Sequence, residues 1–382
     1  MWLYKRTLTI DKDKCGTENS SDFPVLFSGI YSYLATEANG GKVKNANGYD
    51  IAFFSDPDLT VLLDFERVSW DPSTGEVQFY VKVPTLSISS DTVIYLGYGN
   101  SEITTDQQNK HGTWRSEYEA VWHMEEDPTA DPPQISDSTS NEKHATSANM
   151  ESADSIPGKI GKGLNIDGDE WLAFDGANNQ TIGATSISFW LNSPDSDIKP
   201  LFEILADNVG CFAYIYQAGK LDFIFRGYQN WYNAGEIGID TWKLWHLIYK
   251  GGEKGDPANF VILMNGQSQS FQQTNAGGAF VANYIGREGS GPSGQKRLDE
   301  FRIFEGELTL SWAIAEYNNQ NSPSTFYDVG PEVPIGPVGP ALNSYLPRKD
   351  APTGYNCFVQ QFIKNRFQGT RPFKRPLTEF WD

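Results

Sequence analysis

Apolar residues over the first hundred positions fall in short alternating runs separated by Gly, Asn, Asp and Pro. Examples are Asp50-Ile51-Ala52-Phe53-Phe54, Thr60-Val61-Leu62-Leu63-Asp64-Phe65, Val77 to Val83 and Thr92 to Tyr98. A period of two places successive side chains on opposite faces, so each run predicts a strand and their spacing predicts an all-β sandwich. Almost no segment carries the i, i+3, i+4, i+7 pattern of a helix over three turns. Residues 101 to 116 turn polar and read as a joint. A second series of strands follows at Ala120–Met124, Gly163–Asp167, Ser186–Leu191, Gly210–Tyr216, Lys220–Phe225, Lys243–Tyr249 and Asn259–Met264. Asn265-Gly266, directly after the last of these, is a strong hairpin signal, because both residues tolerate the positive φ that a tight turn demands. The alternating stretch Leu298 to Phe304 and a single short amphipathic turn at Trp312 to Tyr317 end the series.

The pattern therefore predicts two all-β sandwich domains in tandem, residues 1–112 and 113–328, then a linker at 329–341 and an extended C-terminal arm at 342–382. In the linker Gly and Pro recur with no apolar period long enough to pack, which is the composition of a stiff connector.

Composition sharpens this picture. In 382 residues, 39% hydrophobic and 14% aromatic content suffices for proper cores. A net charge of −19 argues against a nucleic-acid surface, where a basic stripe is needed, and its plain reading is solubility. The sign reverses in the arm: 342–382 holds seven Lys/Arg against three acids, a net +4, so the rest of the chain carries −23. The arm also holds eight aromatics, among them Phe358, Phe362, Phe367, Phe373, Phe380 and Trp381. Arginines and rings together suit single-stranded nucleic acid, and they equally suit an arm that orders against an acidic, apolar neighbouring subunit. With an acidic body next door, the subunit arm is the expectation, and a plain disordered end is the alternative. Cys15, Cys211 and Cys357 are scattered and odd in number, suggesting neither a disulfide framework nor a zinc site. The strand pattern starts at Trp2 and leaves no room for a secretory leader in the chain as given. No run approaches the roughly 18 apolar residues of a membrane span, so a soluble chain is expected.

Catalytic patterns are not apparent. Glycoside hydrolysis needs two carboxylates flanking the bond, and no Glu-x-Asp-x-x-Glu strand occurs in an apolar context. Glu125-Glu126-Asp127 and Asp167-Gly168-Asp169-Glu170 read as solvated loops. The four histidines, His111, His123, His144 and His246, have no metal-ligand spacing, and neither a Gly-x-Ser-x-Gly elbow nor a phosphate loop is present. The expectation is a binding protein, not an enzyme. Arg226-Gly227-Tyr228-Gln229-Asn230-Trp231-Tyr232-Asn233 lies between two strands and combines stacking rings with amide and guanidinium donors, so Arg226, Tyr228, Asn230, Trp231 and Tyr232 are the candidate glycan-binding residues. The competing reading is that Trp231 and Tyr232 cover a sheet edge.

Two resemblances add to this. Residues 1 to about 100 look like an uncharacterised bacterial and phage domain family, through Trp2-Leu3-Tyr4-Lys5-Arg6, Asp22-Phe23-Pro24-Val25-Leu26, Gly48-Tyr49-Asp50-Ile51 and Tyr98-Gly99-Asn100. Residues 117 to 328 are similar to the laminin-G-like, concanavalin-like superfamily. The carrying residues are Val121-Trp122-His123-Met124, Gly158 to Leu164, Ile187 to Trp190, Trp242, Asn265-Gly266, Ile285-Gly286 and Asp299-Glu300-Phe301-Arg302. That resemblance implies jelly-roll sandwiches that bind glycans or proteins. It also implies one calcium held between an Asp-x-Ser/Thr-x-Asn loop, here Asp137 to Asn141, and the Asp of the last strand, here Asp299. The metal-ligand candidates are thus Asp137, Asn141 and Asp299, although Ser140 and Ala145 stand where relatives often carry Gly. The alternative is a solvated turn, with Asp299 capping or pairing with Arg302.

Together these readings predict a virion-associated phage protein, a decoration, fibre or tail adhesin, that binds a host-surface glycan or protein. Its arm would join other virion subunits, it would bind no nucleic acid, and it would form a homo-oligomer. The alternatives are a bacterial surface or secreted carbohydrate-binding protein, or an accessory module of a glycosidase system.

Overall fold

The computed structural model describes residues 1–174, 183–197, 199–204, 211–216, 220–225, 230–233, 237–253, 256–274, 284–286 and 293–335, in some strands through the backbone alone. Within them the regular secondary structure is almost entirely antiparallel sheet, as the period of two predicts.

The first sandwich pairs one sheet, ordered Tyr327–Val329, Tyr4–Ile10, Thr92–Tyr98 and Ile51–Phe54, with a three-stranded sheet of Ser20–Ile30, Glu76–Leu86 and Phe65–Trp70. Phe53 of the one meets Phe27, Phe65 and Phe79 of the other, each at a ring separation of 5.5 Å. The run at 60–65 departs from its expected strand: Val61 and Leu62 stay exposed, and the strand begins at Phe65.

The second sandwich has two eight-stranded sheets. One runs Gln267–Ser268, Phe260–Met264, Lys243–Tyr249, Thr185–Asn192, Ser293–Glu305, Lys162–Gly168 and Ser155–Pro157, with Tyr118–Trp122 also paired to Ser293–Glu305. The other runs Phe271–Thr274, Asn230–Asn233, Lys220–Phe225, Cys211–Tyr216, Lys199–Ile204, Tyr284–Ile285, Trp171–Phe174 and Ala145–Ala148, which puts Ala145–Ala148 at an edge. Phe189 and Phe301 of the first sheet enclose Phe202 of the second at 5.8 and 5.4 Å. The Asn265-Gly266 hairpin forms as expected, with φ of 55° and 72°.

Three features depart from the sequence reading. The short turn expected at 312–317 is a helix over Leu310–Asn321, started by the Thr309 side chain accepting from the Trp312 amide. It packs on both sandwiches. Trp312 lies 4.7 Å from Phe23, and the Asn319 side chain bonds both the N–H and the C=O of Leu26 in the first sandwich, while Glu316 and Gln320 bond residues of the second. The expected linker begins as strands, for Tyr327–Val329 and Val333–Pro334 pair with Tyr4–Ile10. The sandwiches are consequently one compact unit, Met1 to Gly336. Residues 336–382, with the expected arm, lie outside the described residues.

The strand Ser293–Glu305 also holds a bulge. Trp190 pairs with Asp299 and Ser188 with Arg302, so Glu300 and Phe301 stand opposite Phe189 alone, with Glu300 at φ 52°. Without that extra residue, Leu298 and Phe301 could not both face the core, where both are fully buried.

Candidate functional site

The sheet containing Ser293–Glu305 is covered on both faces. Ile187, Phe189, Leu247, Phe301 and Ile303 face the interior of the second sandwich. The alternate positions, Ser186, Ser188, Trp190, His246 and Arg302, face the helix and the first sandwich and are buried too. Polar groups so placed must find partners, and they form a connected chain. Glu66 of the first sandwich accepts from Trp114 Nε1 (2.7 Å) and Ser138 Oγ (2.7 Å) and lies 3.3 Å from His123 Nε2. His123 Nδ1 reaches Glu300 Oε1 at 2.8 Å, and Glu300 Oε2 accepts from Arg302 Nη2 at 2.6 Å. Arg302 Nη1 donates to Glu316 Oε1 at 2.7 Å, and Glu316 Oε2 is 2.9 Å from His246 Nε2. The Arg302 guanidinium also lies 5.0 Å from the rings of Tyr80 and Trp114.

Burial alone would lower the His123 pKa, but the charges of Glu300 and Glu66 and their hydrogen bonds lift it to about 10. Burial would raise Glu300, yet His123 and Arg302 bring it down to about 2. Glu66 and Glu316 are likewise held below the usual carboxylate value against their burial, by His123 and Arg302 respectively. This cluster is sealed from solvent and each of its charged groups is paired within it, although Arg302 Nε and His246 Nδ1 are left without a partner, so it holds the two sandwiches and the helix together.

The expected calcium ligands do not fit a metal. Asp137 Oδ1 accepts from the amides of Val121 and Thr139, and Oδ2 from Thr139 Oγ1 and the Lys143 amide. All of its lone-pair directions serve the chain itself. Asn141 turns its amide nitrogen to the carbonyls of Tyr118 and Glu119. Asp299 Oδ2 caps the amides of Lys159 and Ile160, and burial, with Glu300 beside it, pushes its carboxyl well above the ordinary value, toward the neutral form. Of the readings open for Asp299, capping is the one found; Arg302 pairs with Glu300 and Glu316 instead. Among the described residues no group of three or more His, Cys, Asp or Glu could hold a metal ion.

Of the candidate glycan-binding residues, Arg226 and Tyr228 lie outside the described residues. Asn230, Trp231 and Tyr232 do not form a loop: their backbone is the strand Asn230–Asn233, paired on both sides. Glu125, expected in a solvated loop, is half-buried, accepts from the Lys162 amide at 3.0 Å and is pushed up to about 7 by that burial.

An open concavity of about 440 Å³ lies instead at the Ala145–Ala148 edge, a volume within the range of small-ligand sites. Its apolar lining is Pro132, Pro133, Ala173 and Phe174. The cross-strand pair Ala173 and Thr146 stands on one side of the sheet, while Phe174 turns inward and packs on Trp122 at 4.9 Å. Its polar lining is Glu142, His144 and Thr146. His144 Nδ1 accepts from the Asp137 amide at 2.9 Å, which leaves the ring proton on Nε2 as an available donor. Neither that nitrogen, nor the Glu142 carboxylate, nor the Thr146 hydroxyl is engaged by another of the described residues. None of these positions was singled out from the sequence as a binding residue. Pro132-Pro133, eleven residues before His144, carry no local mark of a site, and only the fold brings them together with His144 and Ala173.

Residues 47–121 match the family described as Domain of unknown function (DUF2341). The match overlaps the stretch in which the uncharacterised family was seen. It includes Glu66 and Trp114 and stops short of His123. No curated protein matches the chain. Among solved structures, the chain is similar to the receptor binding domain of the botulinum neurotoxin C/D mosaic serotype, at 10% identity and TM-score 0.38, covering 53% of this chain and 51% of that one. It is similar to the binding domain of Paraclostridial Mosquitocidal Protein 1 at 13% identity and TM-score 0.38, covering 53% and 52%. It is similar to the botulinum neurotoxin serotype D binding domain at 11% identity and TM-score 0.38, again covering 53% and 52%. The chain thus spans about half the length of the structures it matches. Likeness at that level transfers no ligand or partner. No helix among the described residues is long and apolar enough to cross a membrane.

Proposed function

We propose that this chain is a non-enzymatic, virion-associated adhesin of a bacteriophage, a decoration, fibre or tail protein. Its second sandwich, of the laminin-G-like kind, displays a ligand site, and residues 342–382 anchor it to other virion subunits as part of a homo-oligomer. The observation that carries the binding part is the concavity at the Ala145–Ala148 edge, where three uncommitted polar side chains stand over an apolar wall. A sealed, internally paired polar junction and an open polar edge divide the labour between scaffold and site. The virion part rests on the sequence: a −23 body next to a +4 arm with eight rings is complementary to further copies of such a body. Calcium has no place in this reading.

Two measurements test it. Deleting 342–382 should abolish incorporation into particles while the purified remainder keeps its ligand; incorporation that survives the deletion removes the anchor. Recovery of the intact protein from host cell surface in the absence of any particle would favour the bacterial surface or secreted carbohydrate-binding protein instead.

A further inference from the structure

We infer that the concavity beside Pro132 and Pro133 takes an uncharged pyranose, a neutral hexose or N-acetylhexosamine unit of a surface glycan, and rejects sialylated or sulfated ones. This rests on the reading of the concavity as the ligand site and adds the chemistry of its occupant. A pyranose has one face of C–H bonds and a rim of hydroxyls, each of which both donates and accepts. The C–H face needs an apolar wall, which Pro132, Pro133 and Ala173 supply. The rim needs donors and acceptors a few ångströms apart, and the three polar linings are of complementary kinds. The Glu142 carboxylate only accepts, His144 Nε2 donates because its Nδ1 is already taken by the Asp137 amide, and the Thr146 hydroxyl does both. A carboxylate accepting from a pair of sugar hydroxyls makes charge-assisted bonds of the stronger sort.

The same groups exclude an anion. Neither Lys nor Arg lines the concavity, and the one charged group there, Glu142, is negative. Lys143, the nearest cation in sequence, is drawn away to Glu119. The surrounding body is strongly acidic, so a sialic acid carboxylate or a sulfate would meet repulsion at long and short range.

The test is a glycan array probed with the full chain, with neutral, sialylated and sulfated arms, followed by titration of the best neutral glycan. Wild type, Glu142→Ala, Glu142→Lys and Thr146→Arg are compared. Glu142 and Thr146 are exposed, so these variants should fold, and unchanged melting curves verify it. Binding to the neutral arm, lost at least tenfold in Glu142→Ala and Thr146→Arg, with Glu142→Lys moving preference toward anionic glycans, supports the inference. Preference of the wild type for anionic glycans, lost in the same variants, overturns the ligand class while leaving the site standing. Neutral binding that all three variants retain overturns the site itself. An array with no binder on any arm overturns the inference, and leaves the particle-incorporation test of the virion reading untouched.

Discussion

Two regions of this molecule use the same residue types to opposite ends. At the junction of the sandwiches, Glu66, His123, Glu300, Arg302, Glu316 and His246 are all buried, and each meets a partner within 3.3 Å. At the Ala145–Ala148 edge, Glu142 and His144 are open, and what they could bond is left available. A glutamate or a histidine is thus not in itself a mark of function. What separates scaffold from site is whether the group is sealed from solvent and its charge is paired within its own chain.

The comparison breaks first at Arg302. Replacing it with Met would leave the Glu300 and Glu316 carboxylates buried and without their guanidinium, and should cost about 3–5 kcal/mol in urea unfolding. A loss under about 1 kcal/mol would mean that the junction is wetter than described. Trp312→Ala, which removes the helix's anchor on Phe23, should cost a similar amount, about 3–5 kcal/mol. Asn319→Ala leaves both polar groups of Leu26 buried without this partner and should cost about 1–3 kcal/mol.

The pH dependence sharpens the contrast. The folded state raises His123 from about 6.5 to about 10, so its stabilisation is present in full below pH 6.5, where the unfolded chain also binds the proton. It falls as pH rises across that window and is gone above about 10. The melting temperature should therefore decline from neutral to pH 10, and His123→Gln should flatten that slope; equal slopes in the two proteins would refute the assignment. Glu300 works in the opposite sense: its stabilisation is present above the ordinary pKa of 4.5 and is lost as pH falls toward about 2. The smallest effects are expected outside the junction. Glu142→Ala should leave the unfolding curve in place while removing ligand, and calcium or a chelator should not move the melting temperature, because Asp137 has no lone pair to offer.

The period of two, legible in runs such as Ser186 to Leu191, fixes the fold class and even which residues share a face. It does not tell what covers each face. Ser186, Ser188 and Trp190 look like a solvent side, yet all three are buried, Ser188 and Trp190 bonded to the helix Leu310–Asn321 and Ser186 to Gly306 and Leu308 just before it. That helix leaves little trace in the sequence pattern for the same reason. Its buried positions include Glu316, Asn319 and Gln320, so its inward face is half polar and shows no apolar stripe at the helical period. The strand Val333–Pro334 was hidden in a Gly/Pro stretch because its partner, at Tyr4 and Lys5, is more than three hundred residues away. The Asp137 loop resembled a metal site because Asp-x-Thr is also how a carboxylate ties its own turn.

Alternation, turn residues and composition are local properties, and they determined by themselves that this chain is antiparallel sheet with a strongly acidic surface and a basic, aromatic end. Only the tertiary structure decided that the two sandwiches are one body, that their shared wall is a chain of ion pairs, and that the open polar groups gather beside Pro132, Pro133 and Phe174. The reason is that burial and hydrogen-bond saturation depend on neighbours brought together from distant parts of the chain, which no local period records.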